Sequence, residues 1–108
     1  MTKVLIDPGV CGFVTRVEAQ ADAKRRHVTL KVHSGCESIQ KMMAEAGDTF
    51  ESFSLCLARP GGDPLHQYAS EHFPAHASCP ILVGILKCAE VEAGLGLKKD
   101  ASIHFEEV

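Results

Sequence analysis

Two stretches, Phe13-Val14-Thr15-Arg16-Val17-Glu18-Ala19 and Val28-Thr29-Leu30-Lys31-Val32, decide how this 108-residue chain is read. In the first, Phe13, Val17 and Ala19 alternate with Val14, Arg16 and Glu18, and in the second Val28, Leu30 and Val32 alternate with Thr29 and Lys31. A repeat of two sends one set of side chains to a buried face and the other towards water. The polar link from Ala21 to His27 joins the two runs, so they predict an antiparallel hairpin with one buried face.

Outward from the hairpin, Ser34-Gly35-Cys36 ends the second strand. Glu37 to Ala46 then places Ile39, Met42, Met43 and Ala46 at helical spacing before Gly47 as a stop. Asp48 to Leu57 puts Phe50, Phe53 and Leu57 on one helical stripe, while Thr49, Ser52 and Ser54 leave strand or loop open. Asp63 and Pro64 suit the cap and first position of a short helix through Phe73, and Cys79-Pro80 opens the longest one, with Ile81, Leu82, Ile85, Leu86 and Ala89 as a wide apolar face. Val4 to Ile6 is a short strand stopped by Asp7-Pro8-Gly9. Ala101 to Glu107 alternates Ile103 and Phe105 with polar residues, which predicts a terminal strand beside a free sheet edge such as Val4 to Ile6. The expected fold class is α+β, a small antiparallel sheet with helices packed on one face, in a single domain over residues 1–108.

A net charge of -3 argues against a nucleic-acid surface, which needs a basic stripe. The one basic run, Lys24-Arg25-Arg26-His27, has no aromatic residues interleaved for base stacking and reads as a solvated turn. Three consecutive apolar residues near the N-terminus are too few for a signal peptide, and no run approaches the ~20 residues of a membrane span. A cytoplasmic protein without a membrane partner is expected. No glycine-rich phosphate loop lies between a strand and a helix, and the carboxylates Glu90, Glu92, Glu106 and Glu107 read as a solvated face or tail.

The five cysteines carry the chemistry, since an odd number in a reduced compartment suits metal binding or thiol chemistry better than a disulfide framework. Cys11 precedes the first hairpin strand and Cys36 follows the second, so the hairpin brings both to one end of the sheet. Cys79 opens a helix that packs on that sheet. Two of these cysteines are expected at helix N-termini, where partial positive charge and free N–H groups favour negative charge, and thiolates are what metals bind. Soft thiolate ligands select zinc or iron–sulfur clusters. A fourth donor is sought in His76, three residues before Cys79, with His33 next. Cys88 lies nine residues beyond Cys79 on one helix, half a turn round and ~13 Å along, so it belongs to the core, and Cys56 is read the same way.

The order Cys11-Gly12, strand-turn-strand, Gly35-Cys36 opening a helix, and His76-Ala77-Ser78-Cys79-Pro80-Ile81-Leu82 opening a long one resembles the NifU/IscU-like iron–sulfur scaffold family over Val10 to Gly94. The resemblance implies a NifU/IscU-like domain that assembles or carries a [2Fe-2S] cluster, or holds zinc, on Cys11, Cys36 and Cys79, with iron–sulfur donor or acceptor proteins as partners. Phe13 stands where that family has an aspartate and Ser78 where it has a histidine, and Glu71 to Ala77 carries no proline-rich chaperone motif. Docking to the usual chaperone is therefore not implied.

Two other readings compete with a non-enzymatic metal- or cluster-binding protein. One is a small α+β partner-binding domain whose cysteines are only buried hydrophobes. The other is a thiol-dependent sulfur- or acyl-transfer protein, with Cys36 as the helix-start thiolate and His33 or His76 as base. Neither histidine has an acidic orienting residue in the sequence nearby, and there is no Cys-x-x-Cys. Oligomeric state is left open by the sequence.

Overall fold

A computed structural model describes residues 1–107. Its strands β1 (Thr2–Ile6), β2 (Thr15–Ala21), β3 (His27–His33) and β4 (Thr49–Glu51) form one sheet in sequence order, every neighbour antiparallel. Helices α1 (Glu37–Ala46), α2 (Ser52–Cys56), α3 (Pro64–His72) and α4 (Pro80–Glu92) pack on one face. The fold is α+β, as the sequence implies.

Alternation sets the two faces. Thr15, Val17 and Ala19 of β2, Val28 and Leu30 of β3 and Phe50 of β4 are buried, while Arg16, Gln20, Lys31 and His33 face water. Above the buried set lie Ile39 and Met42 of α1, Leu55 of α2, Leu65 of α3 and Ile81, Leu82, Ile85 and Ala89 of α4. Each buried Leu or Ile is worth about 1.5–3 kcal/mol, so the apolar face of α4 outweighs anything its intrinsic helix propensity adds. α3 begins as expected, with Asp63 Oδ2 accepting the Leu65 and His66 N–H groups at 3.1 Å.

Four expectations are corrected. The first hairpin strand begins at Thr15, and Phe13, 43% exposed, lies outside it. Asp48 to Leu57 is not one helix: β4 ends at Glu51, whose carboxylate caps α2 by accepting the Ser54 N–H at 2.9 Å. Phe53 and Leu57 therefore face solvent, and Leu55 takes the core position. The expected strand at Ala101 to Glu107 does not form, and Ile103 and Phe105 are exposed. β1 pairs with β2 through Val4 and Val17, and an alternating segment becomes a strand only where a neighbouring edge takes its backbone groups. Finally, Glu92 is not on a solvated face. It accepts the Thr2 hydroxyl and the Ala21 N–H, both at 2.8 Å, and so fastens the end of α4 to two strands.

The hairpin turn from Asp22 to Arg26 holds Arg25 at φ 57°, a left-handed conformation that favours glycine or asparagine. Ser52, buried, fixes it there: its hydroxyl donates to the Arg25 carbonyl and its N–H to the Arg26 carbonyl, both at 2.7 Å. No helix among the described residues is long and apolar enough to cross a membrane.

Candidate functional site

The rim where β1 ends, β2 begins and β3 ends is set by the pairs Ile6 with Thr15 and Arg16 with His33. The segment from Asp7 to Val14 leaves and re-enters the sheet at this rim, and Ser34-Gly35-Cys36 leaves it two strands away. Cys11 and Cys36 thus lie on segments at one end of the sheet, as the hairpin direction requires.

Within the first segment the Gly12 N–H bonds the Gly9 carbonyl at 2.9 Å, closing a turn with Val10 and Cys11 at its centre. Gly9 at φ 86° and Gly12 at φ 72° flank it in conformations side chains avoid. Cys11 is exposed at the tip. Behind it, the Phe13 ring lies over Gly35, where an added Cβ would approach the ring to 3.1 Å.

A buried hydroxyl joins the two segments. Thr15 Oγ1 hydrogen-bonds the Phe13 carbonyl at 2.8 Å and Ser34 Oγ at 2.9 Å. Thr15 has one proton, which the carbonyl must receive because it is only an acceptor, so Ser34 supplies the proton between the two hydroxyls. Ser34 Oγ accepts the Cys36 N–H at 3.2 Å. Sequence reasoning missed this pair, although Thr15 falls on the same two-residue alternation as Val17 and Ala19, and a hydroxyl on a buried face needs a partner.

Cys36 is the N-cap of α1 and Cys79 the N-cap of α4, and neither side chain caps its own helix. The direction of α4 is fixed by its contacts. Gly84 touches Ile6 at the rim, Cys88 Sγ donates to the Thr2 carbonyl at 3.3 Å, and Glu92 reaches Ala21 at the far end. Cys79, five residues before Gly84, therefore lies at the rim end of α4, about 7.5 Å further along its axis. Both cysteines are half-buried.

The two candidate histidines sit on different segments, both exposed. His76 is exposed in the connection between α3 and α4, and His33 is exposed at the end of β3 on the open face of the sheet. Among the described residues, no three His, Cys, Asp or Glu side chains are close enough to hold one metal ion as they stand. The rim brings together the segments that carry Cys11, Cys36 and Cys79, but their thiols are not drawn into a single donor group.

The remaining cysteines are occupied elsewhere. Burial pushes the Cys88 thiol up to about 11. Cys56 is pushed up to about 11 by burial first and then by the nearby charges of Glu90, Asp63 and Glu51. Both are poor sources of thiolate.

No curated protein and no solved structure matches this chain. Residues 2–105 match a family of unknown function, DUF6951, a span that runs from β1 through the segment after α4, and the chain belongs to that family.

Proposed function

We propose that the rim bearing Cys11, Cys36 and Cys79 binds zinc or a [2Fe-2S] cluster, with His76 as a further donor, and that the protein is a scaffold or carrier for that centre rather than an enzyme. The observation that carries the proposal is the arrival of three thiol-bearing segments at one end of the sheet, two of them as helix N-caps whose side chains bond nothing at their own helix. The donor set fits the group chemically, since soft thiolates favour these metals over calcium or magnesium. It does not yet fit in position, so binding draws in the Gly9–Gly12 turn and the connection that ends at Cys79. Cys11, on an exposed turn hinged by two glycines, is the donor freest to move. A site closed in this way couples metal uptake to ordering of the rim and to proton release from the thiols.

On this view the domain is a divergent relative of NifU/IscU-like scaffolds working in the cytoplasm, with iron–sulfur donor or acceptor proteins as partners. Phe13, packed on Gly35, puts an apolar group where a carboxylate would otherwise stand beside the site. An apolar neighbour gives water less access to the centre and favours holding a cluster over releasing it.

The test is anaerobic zinc binding and iron–sulfur reconstitution of untagged protein, with absorption spectra for wild type and for Cys11→Ala, Cys36→Ala and Cys79→Ala. Stoichiometric uptake by wild type, lost or weakened in each variant, is expected. Uptake below about a tenth of an equivalent in wild type, or equal uptake in all three variants, would overturn the proposal.

A further inference from the structure

At the end of the sheet opposite the cysteines, a cleft of about 560 Å³ opens between the β2–β3 turn, the start of α2 and the chain just past α4. That volume falls within the range of small-ligand sites. Lys24, Arg25, Arg26 and His27 line it together with one carboxylate, Glu51, and Phe53 and Leu95 supply its apolar lining.

The nearby carboxylates are already engaged. Asp22 accepts the Arg26 N–H at 2.9 Å and pairs with His27 Nδ1 at 3.2 Å. Glu51 holds the Ser54 N–H and hydroxyl at 2.9 and 2.7 Å. Lys24, Arg25 and Arg26 thus have no carboxylate partner among the described residues. The hairpin turn sets Arg25 in the left-handed region, and the buried Ser52 fixes it there, so the course of its side chain is set by the fold. Glycine suits that conformation better, so an arginine there points to a use for its side chain. The Arg25 guanidinium lies against Gly94, just past the end of α4, where an added Cβ would come 2.5 Å from Nη1.

We infer that this cleft binds a small organic phosphate, with the phosphate held by Arg25, Arg26 and Lys24 and a flat apolar portion lying against Phe53 and Leu95. Guanidinium groups match phosphate oxygens with paired hydrogen bonds, and an exposed phenyl ring offers a stacking face. Phe53 is 60% exposed, which makes it available to a ligand. The inference is independent of the cysteine rim.

Titration followed by amide chemical shifts, using phenyl phosphate, adenosine 5′-monophosphate and inorganic phosphate as probes, tests it. Phenyl phosphate and the nucleotide should perturb residues of the β2–β3 turn and of α2, and should bind more tightly than inorganic phosphate. Arg25→Gly relieves the left-handed backbone and so keeps the fold, and Arg26→Gln is exposed. Each should weaken binding of both organic probes about tenfold, one charge-assisted hydrogen bond's worth. Phe53→Ser should weaken the organic probes and leave inorganic phosphate unchanged. No binding of any probe at millimolar concentration, full affinity in both arginine variants, or equal losses for all probes in Phe53→Ser would each overturn the inference.

Discussion

Gly84 has no side chain where α4 crosses the end of β1, and the side chain of Ile6 fills that place. A methyl group at position 84 would collide with Ile6 Cδ1 and Cγ1. Gly→Ala in a helix gains up to about 1 kcal/mol of propensity, but overpacking costs about 1–3 kcal/mol, so the collision prevails. Gly84→Ala should lower stability in urea melts by about 1 kcal/mol net. Adding Ile6→Ala should make the Gly84→Ala step neutral or favourable. A single variant more stable than wild type would show that helix and strand separate more easily than their packing indicates.

Glu92 should matter both to stability and to its acid dependence. Burial pushes its pKa up, but the Ala21 amide, the Thr2 hydroxyl and the N-terminal ammonium together hold it below the usual 4.5. A depressed carboxylate contributes stability that is present above 4.5 and lost as pH falls through the lower folded value. Glu92→Gln leaves the Ala21 N–H poorly matched and should cost about 1–3 kcal/mol at neutral pH. Its stability should also fall less steeply than wild type on acidification. Parallel acid profiles for the two proteins would rule out this role.

The buried thiols predict the opposite behaviour at high pH. Cys88 ionises near 9.0 when unfolded and near 11 when folded. Its contribution, on the order of 2 kcal/mol, is complete below about pH 9 and lost as pH rises towards 11. Cys56 acts in the same direction. Urea midpoints across this range should drop for wild type and drop less for Cys88→Ala. In native protein, iodoacetamide should label Cys11 and spare Cys88; rapid labelling of Cys88 would mean that α4 lifts from the sheet.

Removing the buried hydroxyl tests the link between the two rim segments. Thr15→Val keeps the shape but severs the connection from Phe13 to Ser34, and should cost about 1 kcal/mol. Amide exchange should quicken at Val14 and Cys36 and stay unchanged at Leu65, which is remote. Unaltered exchange at Cys36 would show that Ser34 holds it without Thr15.

Elements bounded by local chemistry could be read from the sequence. Glu37–Ala46 has the expected limits because Gly35-Cys36 and Gly47 mark them within a few residues, and Asp63-Pro64 and Cys79-Pro80 do the same for α3 and α4. Features set by distant partners could not be read. β4 gives way to α2 at Ser52, whose hydroxyl bonds Arg25, 27 residues earlier in the chain. Phe13 shares the alternation of Val17 and Ala19, yet it leaves the strand to cover Gly35. The alternation of Ile103 and Phe105 says nothing about whether a sheet edge awaits them. For the candidate site, the common rim of Cys11 and Cys36 follows from hairpin direction alone. How closely the thiols approach depends on loop conformations that residue spacing does not encode.

The clasp between Glu92 and Thr2 joins positions 90 residues apart, and Cys88 bonds the Thr2 carbonyl across 86. Such distant pairings carry a large loop-closure cost, which favours forming the local hairpins before them. β1 to β3 are local hairpin pairings, and the inner face of Val17, Ala19, Val28 and Leu30 gains its main cover only when α4 docks. A chain in which α4 has not yet docked therefore exposes an apolar sheet, and that is the state in which a chaperone would have the greatest effect on yield.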